Sequence, residues 1–494
     1  MQVRNACSLP KMSTSGRSLK QIIILSFILI PFCLAACVTR TQGGELEGPF
    51  VSNITSNSAV IWWRSPSPLG GEVVIAGRLV PDDEPPFEVM VSDLEPNKPY
   101  KYYVKFRNGM RRPVEGTYTF FTAPEPGSQD AFRFAFLCDS RGSKPSDPVN
   151  ASVLQMLLNH AKSQSAKFVC FAGDLIFGYS NKENAYRGGL RLWKSVAANV
   201  MNEIPIYVTM GNHDIMIHRH KDRQGAYDLD GVKKDGGGIL TSEEVFAEEF
   251  VNPTNGPDQP EQPAAPPYNE TSYSFDYGNA HFIFMNTNYW AAQRTYPHKP
   301  GDPHRLYDLG NPEGRIMDGQ LKWLGDDLQR ARSAGIQHIF VFGHEPAFPV
   351  GIHAGDAMHY DGHATPSLKR DIRARRHRFW KMLSEFGVLV AFFGDEHNYS
   401  RGLIGPAGEV AYDPPVWQII SGGAGAKLSG ARLMHLPWAN SIHAFAKRHH
   451  YCLVTVHGQR VTLDVFALPE GFDRAPRNAS FQLIDSVQDL TMRN

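Results

Sequence analysis

The 494 residues carry 50 basic and 50 acidic side chains, so no bulk attraction to nucleic acid is built into the chain, and no specific nucleic-acid binding is expected. That length exceeds one ordinary core and implies two folded domains. The 35 prolines and 44 glycines, without heptad, repeat or low-complexity tract, suit a globular protein with long ordered loops.

Residues 1–36 read as a targeting segment. Arg17 and Lys20 precede the apolar run Ile22 to Leu29, which continues to Leu34-Ala35-Ala36-Cys37 before the chain turns polar. From Ile22 to Ala36 there are 15 residues, short of the roughly 20 that a membrane-spanning helix needs. The segment looks like a bacterial lipoprotein signal, cleaved so that a lipidated Cys37 contacts the membrane of the cell envelope, on its periplasmic side or outer surface. A plain signal peptide or an uncleaved anchor is the alternative. Cys138, Cys170 and Cys452 lie in apolar runs and are expected as buried free thiols.

From residue 46 to 124, short alternating or aromatic-rich runs are separated by Pro, Gly and Asn: Ala59 to Trp63, Glu72 to Ile75, Glu88 to Ser92, Tyr100 to Phe106 and Thr117 to Thr122. This spacing predicts an all-β sandwich with Trp62 or Trp63 in its core. Leu94 to Tyr102, with two prolines and two tyrosines, resembles the turn and tyrosine corner of fibronectin type III domains. No cluster of His, Asp or Glu occurs here, so the domain reads as a spacer or a wall of a cleft. Ala123 to Asp130 is the linker.

At residue 131 the pattern changes. Apolar strand-like runs alternate with amphipathic helical stretches: strand Phe132 to Cys138, helix near Ala151 to Ser163, strand Phe168 to Ala172, helix near Gly188 to Met201, strand Ile204 to Val208. Strands at His281 to Met285, His338 to Phe342 and Val388 to Phe393 follow, with helices near Met317 to Ser333 and Leu368 to Glu385 before the last two. Residues 131–470 therefore form an α/β layered domain, with 471–494 as a tail.

Polar residues stand just past the carboxyl end of strand after strand, where an α/β sheet opens into a crevice. They are Asp139, Gly173-Asp174, Gly211-Asn212-His213-Asp214, Gly343-His344-Glu345 and Gly394-Asp395-Glu396-His397. Singly, each has a plain structural reading: the Asn212 triplet as a turn with Asp214 capping a helix, Asp139 and Asp174 as caps, His344 and His397 as core histidines. As an ordered set on one edge, oxygen and imidazole donors with a shared carboxylate suit a binuclear metal site.

The set resembles the calcineurin-like metallophosphoesterases and, with the preceding sandwich, the purple acid phosphatase branch. The resemblance implies that Asp174 bridges two metals, that Asp139 and His397 bind the first, and that Asn212 and His344 bind the second, with Asp395 beside them. It implies phosphate ester hydrolysis, monoester or diester, by a hydroxide held on the metals, with His213 as acid to the leaving group, held by Asp214. Three positions depart from the pattern. Arg141 replaces the His of Asp-x-His and suits a phosphate oxygen. Phe177 replaces an iron-binding tyrosine, with Tyr179 poorly spaced to substitute. Asp395 replaces the first His of Gly-His-x-His and favours harder ions among Fe, Mn, Zn and Mg. The second metal site is the better supplied. The contrasting reading is an envelope-anchored binding or adhesion protein with a degenerate metal site.

The connections at 215–272 and 346–367 carry His218, Arg219 and His220, and His353, His359 and His363, either facing an anionic substrate or on solvated loops. Arg370, Arg373, Arg375 and Arg376 read as the solvated face of a helix.

Overall fold

The computed structural model describes residues 46–492 apart from 66–68, 181, 217–239, 262–264, 292–310, 361–364, 406–410 and 472–479. Residues 1–36, expected as a targeting segment, and Cys37 lie outside the described residues, as do His218, Arg219, His220 and His363. Among the described residues no helix is long and apolar enough to cross a membrane.

The N-terminal region is strand-rich and divides into two antiparallel groups. Glu47–Ser52, Ala59–Arg64 and Phe87–Val91 form one sheet. Arg78–Asp82, Gly71–Ile75 and Pro99–Phe106 form the other, where Arg111–Arg112 and Tyr118–Phe121 both pair with Pro99–Phe106. Alternate residues of Gly71–Ile75 and of Phe87–Val91 point inward, as period-two side chains must. Trp63 fills the interior, stacked on Phe87 at 5.3 Å and edge-on to Phe106 at 5.6 Å. Its neighbour Trp62 faces the other way and joins the core beneath the helix Glu183–Met201.

Residues beyond 131 build two large sheets packed face to face. The first runs in the order Ile206–Thr209, Phe168–Ala172, Phe132–Leu137, His450–His457, Arg460–Ala467, Gln482–Val487, with the first three strands parallel. The second runs Tyr273–Tyr277, Ala280–Phe284, His338–Phe342, Val390–Phe393, Val416–Ser421, Tyr399–Ile404, Ile442–Ala446. Strand alternation explains the layering. Phe134 and Phe136 point between the sheets and meet Phe282 and Phe392 at 5.1 and 4.8 Å, while Ala135 and Leu137 point outward to the helices Ala151–Ser163 and Glu183–Met201. Ile339 and Val341 do the same beneath Asp318–Ser333 and Pro366–Glu385. Strands covered on both faces read as unbroken apolar runs, and each large apolar side chain so buried contributes about 1.5–3 kcal/mol. Cys138, Cys170 and Cys452 are buried free thiols.

Several boundaries differ from expectation. The strand after Pro205 begins at Ile206, and the helix placed near Gly188 starts at Glu183, where the Glu183–Arg187 ion pair supports the turn before Gly188-Gly189. The 215–272 connection contains a helix, Ser242–Glu249, set by a capping box between Thr241 and Glu244. The tail expected from residue 471 is corrected: Gln482–Val487 adds the edge strand of the first sheet against Arg460–Ala467, and Leu490 is buried.

Candidate metal centre

The carboxyl ends of five strands converge at one edge of the paired sheets. Asp139, Asp174 and Asn212 follow strands of the first sheet; His344 and Asp395 follow strands of the second. The turns are tight enough to require glycine, since a Cβ on Gly173 would lie 2.5 Å from Gly211 N, and one on Gly211 would lie 2.4 Å from Asp174 N. Asp139, Asp174 and Asp395 have φ of 65°, 52° and 63°. Such left-handed backbone costs roughly 1–3 kcal/mol per residue and clusters at functional sites.

All the residues expected as ligands are buried. His344 Nε2 lies 3.3 Å from Asp174 Oδ1 and 3.8 Å from Asp395 Oδ1, and His397 Nε2 lies 3.5 Å from Asp139 Oδ1. Asp139, Asp174 and His397 form one group with ligand atoms close enough to share an ion, and His344, Glu345 and Asp395 form another. The imidazoles are held from behind: His344 Nδ1 is 3.0 Å from the Ala172 carbonyl and His397 Nδ1 is 2.8 Å from that of Lys427. Both Nδ1 atoms therefore carry the hydrogen, and both Nε2 lone pairs face the centre, the usual arrangement of metal-binding histidine.

The fit to a cation differs between the two sides. Asn212 Oδ1 and His344 Nε2 are buried without a hydrogen-bond partner, which is costly unless a ligand takes their lone pairs. On the other side Asp139 Oδ1 is likewise unpartnered. Asp174 Oδ2, however, accepts from Arg141 Nε at 3.0 Å, and His397 Nε2 is 3.3 Å from Arg141 Nη2. The side holding Asn212, His344 and Asp395 fits an ion, whereas the Asp139–His397 side has two of its donor atoms engaged by a guanidinium.

Electrostatics follow from crowding buried acids. Burial alone would raise Asp174, but His344, His213 and Arg141 hold its carboxyl below the usual carboxylate range. Burial pulls His344 down, yet Asp174, Asp139 and Asp395 leave it above the ordinary imidazole value. Asp395 is raised by burial, with His353 and His344 opposing, and Glu345 is raised by burial and by Asp395. Cations and buried carboxylates stabilise one another here.

His213 lies beside this set. Its backbone N–H donates to Asp174 Oδ1 at 2.8 Å, and its ring stacks on Tyr179 at 4.3 Å and tilts against Phe177 at 4.8 Å. The expectation that Asp214 holds His213 is corrected. Both Asp214 oxygens accept backbone N–H groups, from Leu175, Ile176 and Gly211 at 3.2, 3.1 and 2.9 Å, so this carboxylate clamps two loops together. Burial and Asp174 push it up to about 7 against those three bonds.

The sequence reading left His353 without a role. Its Nδ1 is 3.2 Å from both Asp395 Oδ2 and Asp356 Oδ1, and although burial opposes its charge, Asp395 and Asp356 push it up to about 10. Glu396 turns inward and accepts the backbone N–H groups of Gly351 and His353 at 2.8 and 3.1 Å, fixing that turn. The signal was available: a carboxylate at 395 needs a cationic neighbour, and the 346–367 connection carries three histidines. His359 lies elsewhere, against Arg376 and Trp438. Arg376 is corrected from solvated to 1% exposed, under Phe348 and Trp438, because it shares the helical stripe of Ile372, Phe379, Trp380 and Leu383.

Residues 133–399 match the sequence model described as calcineurin-like phosphoesterase. No curated protein matches the sequence significantly. Among solved structures, that of PhoD superposes with a TM-score of 0.63 at 17% identity, over 91% of this chain and 90% of that one. A purple acid phosphatase, PPD1 from seeds of yellow lupin (Lupinus luteus), gives 0.58 at 15%, over 89% of this chain and 73% of its own. At these identities the likeness speaks for the fold.

Proposed function

The chain belongs to the calcineurin-like phosphoesterase family, and from that premise we propose that it is a metal-dependent hydrolase of phosphate esters. One observation carries the reading. Two buried donor atoms with no hydrogen-bond partner, Asn212 Oδ1 and His344 Nε2, stand with Asp395 beside the ionised Asp174. Asp174, Asn212, His344 and Asp395 would hold a divalent ion, and a donor set this rich in oxygen favours Mn, Fe or Mg over Zn. Such an ion, when bound, polarises a phosphoryl oxygen and lowers the pKa of a coordinated water to roughly 7.

The surrounding residues supply the rest. Arg141 commits N–H groups to Asp174, His397 and the Gly142 carbonyl; a guanidinium has five, and the remainder are available to a phosphoryl oxygen. His213, held by its backbone to Asp174 and by its ring between aromatic neighbours, is positioned to give a proton to the leaving oxygen. Asp214 acts through the loops that it clamps.

The N-terminal region supports a fibronectin type III-like sandwich over 46–124. Two facing groups of three and five antiparallel strands and the Glu95 N–H that donates to the Tyr100 hydroxyl at 2.7 Å, the bond a tyrosine corner makes, support that reading. With the lipoprotein-like segment at 1–36, the proposal is an enzyme tethered to the bacterial cell envelope through Cys37. Purified protein should hydrolyse an aryl phosphate monoester or diester, and Asp174→Ala should not. Equal rates from the two proteins would sink the reading. Bound metal without hydrolysis of any ester would favour the binding or adhesion alternative.

A further inference from the structure

The proposed reading calls for metal, and the family pattern calls for two ions. The two sides of Asp174 do not support two equally. We infer that Arg141 stands in place of the first ion, so that the centre holds a single metal, on the side of Asn212, His344 and Asp395.

Two observations converge on this inference, which rests on the reading of the site as a metallophosphoesterase centre. First, the guanidinium donates to the same two atoms, Asp174 Oδ2 and His397 Nε2, that an ion shared with Asp139 would need. A lone pair that accepts a hydrogen is not free for a metal, and an ion there would sit against a fixed positive charge. Second, the guanidinium is built in. Its carbon lies 5.7 Å over the centre of the Phe177 ring, and Nη1 is tied to the Gly142 carbonyl at 3.3 Å. The aromatic face that holds a cation has no ligand atom to offer a metal. Asp139 then serves as counter-charge on the guanidinium side, with Oδ2 receiving the Asp395 N–H at 3.0 Å.

The test counts ions. Full-length protein stripped with a chelator, incubated with Mn²⁺ and passed through a desalting column is analysed by plasma mass spectrometry and by electron paramagnetic resonance. Wild type should hold one Mn²⁺ per chain with an isolated-ion spectrum. His344→Ala should lose it and His397→Ala should keep it. Arg141→His, which replaces the guanidinium with a ligand, should rise to two with an exchange-coupled spectrum. Two coupled ions in the wild type, or loss of the single ion in His397→Ala rather than His344→Ala, would overturn the inference while leaving metal-dependent hydrolysis standing. No bound metal together with no hydrolysis would instead sink the underlying reading. The wild-type count decides even where a variant fails to fold.

Discussion

The two sides of Asp174 are made from the same local materials and end in different chemical states. Each has an imidazole locked through Nδ1 to a carbonyl, and each has an aspartate in left-handed backbone after a strand. On one side the His344 Nε2 and Asn212 Oδ1 lone pairs remain unpartnered, whereas on the other a guanidinium takes that of His397 Nε2. A strand-end motif thus decides where a donor atom is placed, and a neighbour two residues further on decides whether a metal can use it.

Removing what the sides share should have the largest effect. Asp174→Ala takes a carboxylate from the His344 donor set and from Arg141 together, and aryl phosphate hydrolysis should fall on the order of 10³-fold or more, in protein whose circular dichroism is unchanged. Next comes His213, the proposed acid. With an alkyl phosphate, His213→Ala should lose roughly 10² to 10⁴ in rate, and with a nitrophenyl ester much less; a loss independent of the leaving group would reassign His213. On the open side, His353→Gln removes the partner of Asp395 and should weaken Mn²⁺ binding about 10–100-fold, measured by equilibrium dialysis.

A smaller effect separates fold from site. Asp214→Ala leaves three buried N–H groups without their acceptor, so the unfolding free energy in urea should fall by roughly 3 kcal/mol. The remaining folded protein should keep the wild-type dependence on leaving group. Last is the pH response of a group outside both sides. Glu270 is pushed up to about 8 by burial against the opposing Asn252 N–H, from an ordinary value of 4.5. The unfolded chain releases that proton first, so this group lowers stability progressively as pH rises from 4.5 towards 8. Glu270→Gln should flatten the melting temperature across that window, and a wild-type slope that persists unchanged would assign the response elsewhere.

Much of this was legible in sequence for a definite reason. The central strands of both large sheets are covered on both faces and read as apolar runs, and the polar residues after Cys138, Ala172, Met210, Phe342 and Phe393 stand out against them. What was not legible depends on contacts distant in the chain. The turn of Asp214 towards Leu175 and Ile176, the approach of His353 to Asp395 and the seating of Arg141 against His397 span 38 to 256 residues, and composition carries no trace of them. Gln482–Val487 escaped notice because an edge strand exposed on both sides has no apolar alternation. Arg376 escaped because its charge masked a position on an apolar helical stripe.

The central claim is that ester hydrolysis depends on an ion held by Asp174, Asn212, His344 and Asp395. Titration of Mn²⁺ into chelator-stripped protein, followed in parallel by calorimetry and by aryl phosphate turnover, tests it most directly. Binding and activity should rise together and saturate at the same Mn²⁺ concentration, and both should be absent in His344→Ala. Full turnover by the stripped protein, or equal binding heat in His344→Ala, would contradict it.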